Sequence, residues 1–426
     1  MSHYGSAASL ASLAVIGQGF GYGLSIILAR NLGVDGFEAY VVASAAFTLM
    51  VMYVPRGLEK YSIRILPGLL EQGDWGPARG YLQYASSRTI ITALIVATLL
   101  ALWVLFFSPA PDTTRTALLV SCLSLPTGAL AHLGVEVLSA GGRTTLALAI
   151  FRCLVPGVAL GLVLIFLQIT DELSGALAVG SWGIAWALAS VTMFIALRAL
   201  LPEAYRTARA EKDGKSWRRA ARPFLLYRVS LALISQAGVI ALDALQPSAA
   251  AVGAYAAAIA TASLPILLVT ATNRYYAHQI SLLLDRDDYT GILALRQQRL
   301  LWLLPVIAFF LAGVFLYGRD ILAFFRPDFV EEGLVAMRIL AVATANSVIF
   351  ALAPTYMKYR GENRTTLVVV MAAAALLLVL LWILVPRLAA TGAAISYAVT
   401  TCGMYWAFAQ LAHRDLLELA ARQIID

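Results

Sequence analysis

A charge-poor stretch of about 20 residues, long enough to cross roughly 30 Å of hydrocarbon as helix, recurs along this chain. Such stretches begin near Ser9, Glu38, Ser87, Thr114, Thr145, Leu173, Phe224, Ala249, Leu300, Leu334, Thr366 and Thr391. They are continuously apolar, whereas outer-membrane strands are short and alternate, so they predict helices and not a barrel. The composition agrees, with 61% hydrophobic and 13% charged residues against about 25% charged in an average soluble domain. The expected fold class is therefore an all-α polytopic membrane protein with 12 transmembrane helices. The first stretch follows an N-terminus without Lys or Arg and has no clear cleavage site, so it is expected to be the first span.

The chain repeats itself at half its length. Arg143-Thr144-Thr145-Leu146 returns as Arg364-Thr365-Thr366-Leu367, 221 residues on, each time in a short polar loop before a long apolar segment. Similar offsets relate Phe37-Glu38-Ala39-Tyr40 to Val252-Gly253-Ala254-Tyr255, Gly175-Ala176 to Gly392-Ala393, and Gln18 to Gln236. Six spans per half bring the second half into the membrane in the same direction as the first. The repeat is thus parallel, with a pseudo-two-fold axis along the membrane normal, as in transporters whose halves rock around a central cleft. The expected organisation is an N-lobe over residues 1–201, a basic linker over 202–222 and a C-lobe over 223–426. The linker carries Arg206, Arg209, Lys212, Lys215, Arg218 and Arg219 around Trp217, and is read as a solvated cytoplasmic loop or an interfacial helix on the anionic inner leaflet.

Charge fixes the expected orientation. With the N-terminus inside, inner segments hold 25 of the 31 lysines and arginines, and outer loops hold five: Arg30, Arg115, Arg319, Arg326 and Arg387. The positive-inside rule then places both termini in the cytoplasm. The net charge of +7 is a topology signal. It is not a nucleic-acid footprint, because no basic run is interleaved with stacking aromatics. The outer loops are short, the longest running from Gly318 to Gly333, which argues against a glycan polymerase or ligase with a large external domain.

Ionisable side chains inside a membrane are costly and mark functional positions. The cations in or at the ends of spans are Arg30, Arg56, Arg64, Arg152, Arg274, Arg338 and Lys358. Together they predict an electropositive interior suited to an anionic substrate. Snorkelling to headgroups is the competing reading for Arg64, Arg274 and Lys358, and an internal ion pair for Arg152 and Arg338. Two carboxylates, Glu136 and Asp243, are candidates for ion coupling, although a structural pair with Arg152 in the next span is the main expectation for Glu136. Gln18 and Gln236 are placed to hydrogen-bond across helices or to face a cleft. His3, His132, His278 and His413 are scattered, and Cys122, Cys153 and Cys402 have neither paired spacing nor a nearby His. No catalytic set, metal site, cofactor or ATP-binding motif is expected. The glycines from Gly17 to Gly23 fall inside a span and predict close helix packing or a flexible gate, not a phosphate loop.

Several short motifs carry a family resemblance. Leu28-Ala29-Arg30-Asn31-Leu32-Gly33, followed by Gly36-Phe37 and Tyr40, resembles the first hairpin of polysaccharide exporters in the multidrug/oligosaccharidyl-lipid/polysaccharide superfamily. Gly57-Leu58 with Arg64 and Pro67, Asp243 ahead of Val252-Gly253-Ala254-Tyr255, and Thr391-Gly392-Ala393-Ala394 are similar to later landmarks of that family. The resemblance implies a MATE-like flippase in the bacterial cytoplasmic membrane. It would move undecaprenyl-diphosphate-linked oligosaccharides to the periplasmic leaflet, alongside the glycan assembly machinery and without ATP. The superfamily also holds drug antiporters with twelve spans, whose buried carboxylates bind cations, so a cation-coupled multidrug or metabolite antiporter is the alternative.

Overall fold

The computed structural model describes the backbone of residues 2–425 apart from Asp171 and Pro247. It describes their side chains except those of residues 2–11, 270, 271, 273, 274 and 420–425. No strand occurs among the described residues. The helices are α1 (Ser2–Asn31), α2 (Gly33–Tyr53), α3 (Leu58–Gln72), α4 (Trp75–Phe106), α5 (Asp112–Ala140), α6 (Thr144–Ala149), α7 (Val155–Ile169), α8 (Gly175–Leu200), α9 (Glu203–Thr207), α10 (Gly214–Leu245), α11 (Ala249–Ala262), α12 (Ile266–Asp285), α13 (Tyr289–Phe325), α14 (Phe329–Ile349), α15 (Leu352–Tyr359) and α16 (Asn363–Ile425). A π-helical turn at Ile150–Leu154 joins α6 to α7 into one pass.

Eleven of the described helical segments are long and apolar enough to cross a membrane. The last of them is broken at Ala389, whose φ of 45° and ψ of −127° lie outside the helical region three residues after Pro386. It therefore makes two passes, and twelve passes result. Gly318 to Gly333, read from sequence as an outer loop, is mostly helical, with only residues 326–328 between α13 and α14.

The chain folds as two compact units, Val15–Gln236 and Ala237–Asp426, the latter with Met1–Ala14. Within the first unit the fourth pass, α5, is central and packs on α2, α3, α4 and α8. Within the second the tenth pass, α14, is central and packs on α11, α13 and α16. Fourth and tenth are equivalent positions in a six-pass repeat. The repeated sequence motifs occupy matching places. Tyr40 and Tyr255 are both buried, on the second and eighth passes. The two Arg-Thr-Thr-Leu copies follow turns made by Gly142 and Gly361, with φ of 79° and 84°.

One glycine of the first span explains a close crossing. A Cβ on Gly17 would lie 2.0 Å from the Arg152 carbonyl oxygen, so α1 touches the backbone of the π-helical turn. Gly19, Gly21 and Gly23 have no such neighbour within 4 Å.

Segment 202–222 is ordered against α4. The Arg79 guanidinium donates to the carbonyls of Arg206 and Ala208, the latter at 2.7 Å. The Glu211 N–H donates to the Gly76 carbonyl at 3.1 Å. A Cβ on Gly80 would sit 1.7 Å from the Glu211 carbonyl oxygen, so that approach requires glycine.

Candidate functional site

In the first unit, the chain leaves α2 through a turn in which Arg56 and Gly57 both have positive φ, 57° and 80°. That turn presses Gly57 onto α10: a Cβ there would lie 2.3 Å from the Ala221 carbonyl oxygen and 2.6 Å from the Leu225 nitrogen. The next residues, at the start of α3, are thereby aimed inward. Glu59 is fully buried, and its Oε1 is 3.4 Å from Nε of Arg228 on α10. Neither Glu59 oxygen has a hydrogen-bond donor among the described residues. Arg228 also lies against the Met52 sulfur, at 2.7 Å. Lys60, beside Glu59, donates to Glu136 of α5.

One turn before Glu136, His132 is buried between aromatic rings. Phe151 meets it edge-on at 4.8 Å and Trp186 lies at 5.4 Å. The wall continues through Trp182, whose indole N–H donates to the Tyr40 hydroxyl at 2.9 Å. Two acids and two bases thus occupy one polar node beside an aromatic wall. A buried ion pair gains little net stability because desolvation offsets the attraction, yet losing one partner strands the other charge. The arrangement therefore fixes how α3, α5 and α10 meet.

In the second unit, Arg299 of α13 is 2% exposed. Its guanidinium donates to the carbonyls of Val348 at 3.1 Å and Ile349 at 3.4 Å, the last residues of α14. It also stacks 5.5 Å from the Tyr276 ring. A cation there satisfies orphan carbonyls at the negative end of the helix dipole, so Arg299 is a capping residue. Near the end of α15, the Tyr356 hydroxyl and the Arg360 guanidinium both donate to Asp415, at 2.5 Å and 3.1 Å.

The residues expected to form a site are distributed as follows. Arg30, Arg56, Arg64 and Lys358 are exposed, while Gln18, Arg152, Gln236, Asp243 and Arg338 are half-buried. The Arg274 side chain lies outside the described residues. Arg338 donates to the Phe315 carbonyl at 3.1 Å and lies 5.4 Å from the Phe315 ring. Asp243 makes no ion pair among the described residues. Glu136 corrects the sequence reading, because its partner is Lys60 and not Arg152. Arg152 lies on the π-helical turn, whereas Lys60 projects from α3, a helix in a segment read as a hydrophilic inner loop. Sequence reasoning also passed over Glu59, Arg228 and Arg299. The available signal was the Gly57-Leu58-Glu59-Lys60 run directly after an apolar span.

The sequence matches no protein-family model and no curated protein. The fold has clear relatives among solved structures. A multidrug resistance MATE family transporter of the MOP superfamily, in its inward-facing conformation, aligns with a TM-score of 0.78 at 13% identity, covering 96% of this chain and 99% of that one. A Pyrococcus furiosus MOP superfamily transporter aligns at 0.65 and 12% identity, covering 97% and 96%; its binding pocket is described as having reverse polarity that suggests a different function. The Vibrio cholerae MATE transporter VcmN aligns at 0.62 and 17% identity, covering 97% of each chain. At these identities the likeness is one of fold, and the fold is that of MATE and MOP transporters.

Proposed function

We propose that this protein is a transporter of alternating access whose cargo is an anionic lipid-linked oligosaccharide, carried by its diphosphate from the cytoplasmic to the outer leaflet. The observation that carries this reading is the charge balance among described residues. The carboxylates of buried Glu59 and half-buried Glu136 are taken up by Arg228 and Lys60, while Arg56, Arg64 and Arg338 form no ion pair among the described residues. Arginine suits a diphosphate because its planar fork binds phosphate oxygens bidentately and stays charged when desolvated. Arg30, Arg152, Arg274 and Lys358 complete the proposed cationic set, with Gln18 and Gln236 as polar neighbours. Moving two negative charges outward through an inside-negative potential releases about 4.6 kcal/mol per 100 mV, so no nucleotide is needed. The Pyrococcus furiosus transporter, whose reversed pocket polarity is described as suggesting a different function, supports the view that pocket polarity varies within this fold.

The second reading is a cation-coupled multidrug or metabolite antiporter. Asp243 favours it, as a half-buried carboxylate that no described base neutralises. Mass spectrometry of lipid-linked glycans after depleting the protein separates the two. Accumulation of one undecaprenyl-diphosphate oligosaccharide supports the flippase and identifies its cargo. An unchanged pool with raised retention of cationic dyes supports the antiporter.

A further inference from the structure

A small pocket in the first unit is lined by Arg56, Leu58, Tyr84, Arg88 and Arg218. Three exposed arginines from three separate elements, the α2–α3 turn, α4 and the start of α10, therefore share its lining. None of the three makes an ion pair among the described residues. Their basic neighbours are engaged: Lys60 with Glu136, Arg228 with Glu59 and Arg79 with two backbone carbonyls. Unneutralised like charges repel, so packing has to hold them together.

That packing is aromatic. Trp217 is buried, edge-on to Tyr81 at 5.3 Å and tilted against Tyr84 at 5.5 Å. Gly214 seats against the same ring, where a Cβ would fall 2.5 Å from a Tyr84 carbon. The first turn of α10 is thus locked onto α4, and Arg218 follows Trp217 directly. Arg88, one turn beyond Tyr84, lies with its guanidinium 5.6 Å from the Tyr84 ring. Arg56 reaches the pocket from a left-handed backbone conformation, which a non-glycine residue rarely adopts.

Arg56 follows the end of α2 at Tyr53, Arg88 opens the apolar part of α4, and Arg218 precedes the apolar run from Phe224. Each stands at a polar–apolar junction of the sequence, where a membrane-crossing helix is expected to meet lipid headgroups.

We propose that Arg56, Arg88 and Arg218 form a phosphate-binding site at the membrane interface. Its ligand is the phosphate of an anionic phospholipid headgroup or the diphosphate of a lipid-linked cargo. The second source rests on the transport reading given above and the first does not. In either case the guanidinium groups donate to phosphate oxygens, and Tyr84 holds Arg88 in place.

The test uses full-length protein in phosphatidylcholine nanodiscs with two probes: farnesyl diphosphate, titrated by thermophoresis, and phosphatidylglycerol, whose retained copies are counted by native mass spectrometry. Arg88→Gln, Arg218→Gln and their combination are compared with Arg219→Gln, an exposed residue of the same helix that does not line the pocket. Binding of at least one probe should weaken roughly tenfold or more for each pocket variant, as loss of a charge-assisted hydrogen bond implies, and hold for Arg219→Gln. Loss confined to phosphatidylglycerol assigns a headgroup, and loss of farnesyl diphosphate assigns the cargo's diphosphate. If the double variant fails to fold, the single variants carry the comparison. Unchanged binding of both probes by the folded pocket variants, or equal loss in Arg219→Gln, overturns the site. An unchanged glycan-lipid pool on depletion would remove the flippase reading while leaving a phosphatidylglycerol result intact.

Discussion

Replacing Arg228 with Met keeps much of the side-chain stem while removing the charge opposite Glu59. Glu59 has no exposed side-chain surface and, among the described residues, no hydrogen-bond donor on either oxygen, so its carboxylate would be left in the interior without compensation. The expected cost is about 3–5 kcal/mol. Glu59→Gln removes the other charge; Arg228 retains 18% exposure, so the expected loss is smaller, about 1–3 kcal/mol. The double variant should recover most of both losses, because replacing a buried pair by neutral groups of similar volume is often close to neutral. The coupling in the double-mutant cycle should then exceed about 2 kcal/mol. SDS-induced unfolding in mixed micelles, followed by tryptophan fluorescence, measures all four corners. Acidification gives a second readout. Burial raises the Glu59 carboxyl above its ordinary value, and the Arg228 charge opposes that rise. A carboxyl raised in the folded state holds its proton more tightly there than when unfolded, so stability falls as pH rises through that window. Without Arg228 the window widens upward, and the Arg228→Met deficit should shrink as pH is lowered. Additivity within about 0.5 kcal/mol would refute the pairing argument.

Three further outcomes follow from the same geometry. Gly57→Ala should cost at least about 1–2 kcal/mol from its left-handed backbone alone. The 2.3 Å approach to the Ala221 oxygen adds overlap, so a thermal-shift assay should show a lower midpoint. Trp217→Ala empties a buried aromatic site and should cost about 3–5 kcal/mol, with limited proteolysis appearing in residues 203–213. Arg338→Gln should impair glycan-lipid export while Asp243→Asn leaves it near wild type; export of cationic dyes lost in Asp243→Asn and kept in Arg338→Gln would favour the antiporter.

The passes were legible in the amino-acid order because insertion free energy is nearly a sum over about 20 consecutive residues, indifferent to distant neighbours. The repeat was legible for a related reason: Tyr40 and Tyr255, or the Arg-Thr-Thr-Leu copies after Gly142 and Gly361, meet the same local demands at matching passes. Ion-pair partners were a different matter. Glu136 and Lys60 are 76 residues apart, and hydropathy offers no reason to prefer Lys60 over Arg152. The choice depends on α3 turning inward where Gly57 meets α10, and on the backbone of the Arg152 turn lying against Gly17. Arg299, likewise not singled out by sequence, acts as a cap only because the end of α14 lies within hydrogen-bond reach. A charged side chain finds its partner within a few ångströms, so its role follows from how helices far apart in sequence pack, a property no local window contains.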